Sequence, residues 1–85
     1  MPNVEIYSSN TCPYCVRAKQ LLDSKSVEYV EYNISNDSEA RDKMMERTGG
    51  ARSVPQIFIN DVHYGGSDDL YALDAEGKLD VILAG

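Results

Sequence analysis

Both cysteines of this chain of 85 residues lie in one short segment, TCPYC, at residues 11–15. A disulfide between residues this close together removes little entropy from the unfolded chain, so the pair cannot be the main stabilising cross-link of a small fold. A structural zinc site needs about four ligands, and beyond the two cysteines only His63 is an obvious candidate. We therefore predict no metal site and interpret the segment as a reactive dithiol, in preference to a pair of inert buried thiols.

Short β-rich runs alternate with helical patterns along the rest of the chain. We predict strands at residues 4–7, 27–34, 56–59 and 62–64, helices beginning at Pro13, Ser38 and Ser67, and a short last helix in the tail. Ser38 and Ser67 are the predicted N-caps of the second and third helices.

The order of these elements indicates the class of fold. A strand, a crossover helix and a strand in succession predict parallel pairing, and a two-residue hairpin turn at Asn60-Asp61 adds an antiparallel edge. The order β-α-β-α-β-β-α therefore predicts an α/β fold, with a four-stranded mixed sheet flanked by helices. We expect a single domain over residues 1–85.

Composition and charge exclude several classes of protein. Eight basic residues against fourteen acidic residues give a net charge of -6, which argues against a nucleic-acid surface. No apolar run approaches the roughly 20 residues that a membrane span needs. The first residues, MPNVEIY, lack the layout of a secretory signal, so we expect a cytoplasmic protein whose thiols are kept reduced.

The proline between the cysteines predicts different roles for the two thiols. Proline is favoured at the first helical position, which makes Cys12 the cap residue and Cys15 the third residue of the helix. The Cys12 sulfur then faces the N–H groups of Tyr14 and Cys15 at the positive end of the helix dipole, where a thiolate is stabilised. Cys15 lies on the same side of the helix, within disulfide range and deeper in the first turn. We predict that Cys12 attacks substrates and that Cys15 resolves the product.

Three motifs together resemble the glutaredoxin family, in particular its small dithiol bacterial members. They are VEIYSSNTCPYC at residues 4–15, SVPQIFI at residues 53–59 and GGSDDLYALDAEGKL at residues 65–79. A CxxC pair at a helix start within a βαβ pattern is itself typical of thioredoxin-like redox proteins. The resemblance implies a thioredoxin-like fold and reduction of protein disulfides and of protein–glutathione mixed disulfides, with glutathione as reducing co-substrate.

The resemblance also implies which residues bind glutathione. Pro55 is expected to follow a cis peptide bond beside the cysteines, leaving the Val54 backbone to pair with the cysteine of glutathione as an added strand would. Tyr14 is expected to flank the bound peptide. Without the resemblance, Val54-Pro55 would be an ordinary strand start and Tyr14 a partly exposed ring on the helix face.

The charged ends of glutathione are expected to meet two other parts of the chain. The amides of Ser67 and Asp68 would hold the γ-glutamyl carboxylate, and the carboxylate of Asp68 or Asp69 would face the α-amino group. Arg52 matches a basic position that reaches the glycine carboxylate in the family. A surface arginine and a simple helix cap are the alternatives.

One departure from the family pattern lies close to the cysteines. Many relatives carry a lysine three residues before the attacking cysteine, where it favours the thiolate and contacts the glycine carboxylate. This chain has Ser9 at that position. Thiolate stabilisation must then depend on the helix start, and binding of the glycine carboxylate on Arg52 or on a neighbour such as Arg17.

The leading hypothesis is therefore a glutathione-dependent thiol–disulfide oxidoreductase without a tightly bound cofactor. Its expected partners are glutathione and glutathionylated or disulfide-containing proteins, with ribonucleotide reductase among the candidates. We expect a monomer. Two alternatives remain: an electron donor recharged by thioredoxin reductase, and a dimer holding a [2Fe–2S] cluster with Cys12 and two glutathiones, although Pro13 argues against the cluster.

Overall fold

The computed structural model describes residues 3–84 of the chain. The strands are β1 (Val4–Ser8), β2 (Val30–Asn33), β3 (Gln56–Ile59) and β4 (Val62–Gly65), and the helices are α1 (Pro13–Ser24), α2 (Ser38–Thr48), α3 (Ser67–Ala75) and α4 (Lys78–Ala84). The predicted order of elements is confirmed, including the short last helix. The predicted domain limits, residues 1 and 85, lie outside the described part. No helix within residues 3–84 is long and apolar enough to cross a membrane.

The four strands form one mixed sheet in the order β2-β1-β3-β4. The predicted parallel pairing is correct for β1 and β2, but it is wrong for β3, which runs antiparallel to β1. The reason is the segment of residues 49–55 after α2. An extended chain advances about 3.3 Å per residue, so this segment can return the chain to the end of the sheet where β1 finishes. As a result, the residues just before β3 lie beside those that follow β1.

Each face of the sheet covers its own apolar core. Successive side chains of a strand point to opposite faces, so β1 sends Val4 and Ile6 to one side and Tyr7 to the other. The first core lies under α1, α3 and α4, and includes Ala18, Leu22, Ile57, Leu70 and Leu79. The second lies under α2, and includes Ala40, Met44 and Phe58. The sheet is therefore packed against helices on both faces. The cysteines lie outside these two cores, at the end of the sheet where β1 leads into α1.

Two predicted boundaries in the first half of the chain are corrected. The second strand covers residues 30–33 and not 27–34, because residues 27–29 are not part of the sheet. The cap of α2 is Asp37 and not Ser38: the Asp37 carboxylate accepts the N–H groups of Glu39 and Ala40. A carboxylate also interacts favourably with the positive end of the helix dipole.

Candidate active site

The two cysteines occupy the first turn of α1 in the predicted arrangement. Cys12 is the N-cap residue and Pro13 is the first helical residue. The N–H of Cys15 donates to the Cys12 sulfur at 3.2 Å. A hydrogen bond to the sulfur and the positive end of the helix both favour negative charge on Cys12. Cys12 is half-buried and both cysteines are free thiols, so a substrate can reach this sulfur.

Cys15 lies below Cys12 and has the opposite character. Only 1% of its surface is exposed. Burial, and next its hydrogen bond with Cys12, raise the pKa of Cys15 from its ordinary value of 9.0 to about 12, although a hydrogen bond from the Ser9 backbone acts in the other direction. Cys15 is therefore a protonated thiol at neutral pH, which suits a residue that acts second.

The peptide bond between Val54 and Pro55 is cis, as the resemblance implied. It lies next to the cysteines, because the thiol of Cys12 donates to the carbonyl oxygen of Val54 at 3.5 Å. An open groove of about 260 Å³ begins here. The residues that line the groove are Tyr14, Ser53, Val54, Pro55, Gly66, Ser67, Asp68 and Asp69. Six of the seven residues expected to bind glutathione are thus brought together.

The start of α3 forms the far wall of the groove, and here the predicted cap is wrong. Gly66 and not Ser67 is the N-cap residue, and the Asp69 carboxylate accepts the Gly66 N–H at 3.0 Å. The Ser67 hydroxyl is buried and makes no hydrogen bond within the described residues. Because Gly66 has no side chain, no hydroxyl or amide of the cap residue covers the amides of the first turn.

The two arginines considered for the glycine carboxylate lie outside the lining of the groove. Arg52 is exposed in the loop before Ser53. The guanidinium of Arg17 lies 5.9 Å from the ring centroid of Tyr14 and 5.2 Å from that of Tyr71. Tyr14 is 53% exposed. Arg17 is therefore held against the tyrosine that forms one side of the groove.

A second opening, of about 520 Å³, lies on the other side of the cysteines. Cys12 and Cys15 line it together with Lys19 and Glu31, which form an ion pair at 2.9 Å. Hydrogen bonds from Ser8 and Lys19 lower the pKa of the Glu31 carboxyl. Within residues 3–84, no three His, Cys, Asp or Glu side chains are grouped closely enough to hold a metal ion.

Three polar residues near the groove were not given a functional role from the sequence. Ser53 lines the groove, and the buried Gln56 side chain donates to the Ser53 carbonyl oxygen at 2.9 Å. His63 contacts the Gln56 amide oxygen at 2.6 Å. The sequence predicted only strand positions for Gln56 and His63, and His63 was considered and rejected as a zinc ligand. A glutamine at a buried strand position was the available signal, because a buried amide requires partners.

The fold and this site define a thioredoxin-like domain with a reactive dithiol at the start of its first helix. The family model described as Glutaredoxin matches residues 4–64. The chain is 58% identical to a probable glutaredoxin of Synechocystis sp. over 80 residues, covering 94% of this chain and 91% of that protein. It is 55% identical to glutaredoxin 3 of Escherichia coli over 83 residues, with coverage of 98% and 99%.

A solved structure extends this similarity to the fold. The crystal structure of a buckwheat glutaredoxin–glutathione complex matches with a TM-score of 0.87 and 29% identity, covering 98% of this chain and 77% of that one. The chain belongs to the glutaredoxin family. It is a thiol–disulfide oxidoreductase, and its two cysteines, Cys12 and Cys15, lie close together in one helical turn, which is consistent with a dithiol reaction.

Proposed function

We propose that the protein reduces glutathione mixed disulfides with Cys12 alone and protein disulfides with Cys12 and Cys15 in turn. The observation that carries this proposal is the position of the Cys12 sulfur. It caps α1, accepts the Cys15 N–H at 3.2 Å and lies at the edge of the groove beside Val54. The sulfur that is most exposed is therefore also the one whose negative charge the helix stabilises.

Removal of glutathione from a protein takes two exchange steps. The Cys12 thiolate attacks the glutathione sulfur of the mixed disulfide, so a Cys12–glutathione bond forms and the protein leaves as a thiolate that takes up a proton. The thiolate of a second glutathione then attacks the glutathione sulfur on Cys12. Cys12 is released as a thiolate, and the second product is glutathione disulfide.

Reduction of a protein disulfide requires Cys15. Cys12 attacks one sulfur of the substrate and releases the other as a thiolate, which can take the proton that Cys15 loses. Cys15 then attacks Cys12, releases the second substrate thiol and leaves a Cys12–Cys15 disulfide. Two glutathiones reduce that disulfide. The close approach of the two residues in one helical turn supports this order of events.

Glutathione is proposed to lie along the groove with its cysteine beside Val54 and Pro55 and Tyr14 at its flank. The buckwheat glutaredoxin, which shares this fold, was solved as a glutathione complex. A peptide with two carboxylates and one ammonium group suits the charges available. The amides of Ser67 and Asp68 can receive the γ-glutamyl carboxylate, since the start of a helix attracts anions.

The remaining ends of glutathione have more exposed partners. The carboxylates of Asp68 and Asp69 line the groove and are proposed to face the α-amino group. Arg52 is proposed to reach the glycine carboxylate from its loop, and Arg17, beside Tyr14, is the other cation available.

The proposed reaction also indicates the protein substrates and the cellular location of the enzyme. We infer that glutathionylated and disulfide-containing proteins are its substrates, with ribonucleotide reductase as a candidate, and that it acts as a monomer in the cytoplasm. Glutathione acts as a co-substrate, and no step of the proposed cycle requires a bound cofactor.

A coupled assay tests the proposal. The reduced protein is given a glutathionylated peptide with glutathione and glutathione reductase, and in parallel with thioredoxin reductase alone. We expect turnover with the glutathione system and only the background rate with thioredoxin reductase. Turnover with thioredoxin reductase alone would instead identify a thioredoxin-like electron donor.

A further inference from the structure

A chain of hydrogen bonds connects the outer edge of the sheet to the wall of the groove. Its central member is Gln56, the first residue of β3, which is only 6% exposed. The amide nitrogen of Gln56 donates to the Ser53 carbonyl oxygen at 2.9 Å and to the Ser53 hydroxyl at 3.3 Å. The amide oxygen lies 2.6 Å from Nε2 of His63 on β4. Both ends of a buried polar group are therefore paired.

These contacts determine the direction of each hydrogen bond. The Ser53 carbonyl oxygen can only accept, so the NH₂ group of Gln56 faces it and the amide oxygen faces His63. Because that oxygen can only accept as well, His63 carries a proton on Nε2. The His63 ring is held in turn by stacking on Phe58, with ring centroids 4.9 Å apart and an angle of 27° between the planes.

This chain of hydrogen bonds ends at a peptide unit that lines the groove. Ser53, Val54 and Pro55 all line the groove. The carbonyl of Ser53 and the N–H of Val54 belong to the same planar peptide unit. A hydrogen bond that fixes the direction of the Ser53 carbonyl therefore also fixes the direction of the Val54 N–H. The Val54 backbone is the group that would pair with the cysteine of glutathione.

We propose that His63 and Gln56 are positioning residues for glutathione, which hold the Ser53–Val54 peptide so that the Val54 N–H is available to the bound tripeptide. This assignment rests on the proposed use of the groove for glutathione. Neither side chain lines the groove, so both act through Ser53. Their loss weakens substrate binding, whereas the Cys12 sulfur and its Cys15 hydrogen bond are left in place.

Two substitutions of His63 separate its hydrogen bond from its packing. His63→Phe keeps an aromatic ring over Phe58 and removes the N–H. His63→Gln gives up the ring and restores a side-chain N–H near the position of Nε2. We expect KM for a glutathionylated peptide to rise about 3- to 10-fold in His63→Phe, with kcat unchanged, because one hydrogen bond to a buried amide is lost. We expect His63→Gln to remain close to wild type.

The variant Gln56→Met tests the central member of this chain of hydrogen bonds. It has nearly the same length and removes both polar groups of the amide, so KM should rise at least as much as in His63→Phe. If His63 acts only through Gln56, the double variant has the KM of Gln56→Met alone. Additive effects would show that His63 acts by another route, and would overturn the proposal.

An NMR measurement makes the result independent of activity. The backbone amide signal of Val54 should shift in His63→Phe and return toward its wild-type position in His63→Gln. An unshifted Val54 signal, or an equal rise in KM in both His63 variants, would overturn the proposal. If the wild-type protein failed to reduce the peptide, the proposed function would be wrong, and the Val54 signal would still decide whether His63 and Gln56 hold this peptide unit.

Discussion

Two helices begin at the groove, and their first turns are capped in different ways. At the start of α1 the cap is the Cys12 sulfur, which accepts the Cys15 N–H at 3.2 Å. At the start of α3 the cap residue is Gly66, and the Asp69 carboxylate turns back to accept the Gly66 N–H at 3.0 Å. One helix start thus holds a reactive atom, and the other presents backbone amides to the groove.

The difference shows how one physical property can serve two purposes. A helix start attracts negative charge whatever carries that charge. Where the cap residue is a cysteine, the attraction favours the thiolate and promotes reaction. Where the cap residue has no side chain, the amides are left for the carboxylate of a ligand. We therefore propose that the residue at the cap position distinguishes the reacting side of the groove from the side that recognises glutathione.

Removing the reactive cap should have the largest effect. We expect Cys12→Ser to lose reduction of both a glutathionylated peptide and a protein disulfide, because a serine hydroxyl still caps α1 but is not a nucleophile at neutral pH. Both rates are measured in the coupled glutathione reductase assay. Turnover by this variant would contradict the role assigned to Cys12.

Substitution of the second cysteine should remove only one of the two activities. Cys15→Ser keeps the backbone N–H that donates to the Cys12 sulfur, and it removes the thiol that resolves a mixed disulfide. We expect reduction of the glutathionylated peptide to continue and glutathione-driven reduction of insulin disulfides to be lost. Equal loss of both rates would show that Cys15 also acts in the first step.

At the start of α3, a matched pair of variants can separate the hydrogen bond that Asp69 accepts from Gly66 from the negative charge of Asp69. Asp69→Ala removes the acceptor of the Gly66 N–H and should lower the free energy of unfolding by about 1 kcal/mol. Asp69→Asn keeps an acceptor oxygen and should lower it less. Both lose the negative charge, so KM for the glutathionylated peptide should rise about 2- to 5-fold in each. A KM that rises only in Asp69→Ala would assign Asp69 to the cap alone.

The raised pKa of Cys15 predicts how stability depends on pH. The unfolded thiol ionises near its ordinary value of 9.0, whereas the folded thiol stays protonated until about 12. The stabilising contribution of the protonated Cys15 is therefore complete below pH 9 and is lost as pH rises toward 12. We expect the stability difference between reduced wild type and Cys15→Ala to shrink over this range in denaturant titrations. A difference that grows with pH would contradict the assignment.

The burial and the raised pKa of Cys15 also predict selective alkylation. Iodoacetamide reacts with thiolates, so at pH 8 it should modify Cys12 and leave Cys15 unmodified. Peptide mass mapping of the folded protein measures this directly. Modification of Cys15 before Cys12 would reverse their proposed roles.

The smallest effect is expected at Ser67. Its hydroxyl is buried without a partner in the described residues, so Ser67→Ala should leave the free energy of unfolding unchanged or raise it slightly. KM should also be unchanged, since the backbone N–H proposed to bind the carboxylate remains. A rise in KM would show that the hydroxyl, and not only the amide, contacts glutathione.

The sequence is most informative where local chemistry decides the structure. Proline is readily accommodated at the first position of a helix, so Pro13 alone predicts that Cys12 is the cap of α1. The hairpin is equally local. Asn60 and Asp61 have φ values of 52° and 66°, which asparagine and aspartate adopt more readily than most residues.

Features that depend on distant contacts could not be predicted in this way. The reversed direction of β3 follows from the path of residues 49–55, which no local pattern specifies. At the start of α3, Ser67 and Gly66 are both acceptable cap residues, and the carboxylate of Asp69 selects Gly66. The pairing of Gln56 with His63 likewise depends on the alignment of β3 with β4.

A crystal structure of Cys15→Ser with glutathione bound to Cys12 as a mixed disulfide tests most directly whether the starts of α1 and α3 have different roles. We predict the glutathione sulfur at the start of α1, its cysteine backbone beside Val54, and its γ-glutamyl carboxylate on the amides of Ser67 and Asp68. Glutathione attached to Cys12 but extending into the opening beside Lys19 and Glu31 would contradict the division of roles between the two helix starts.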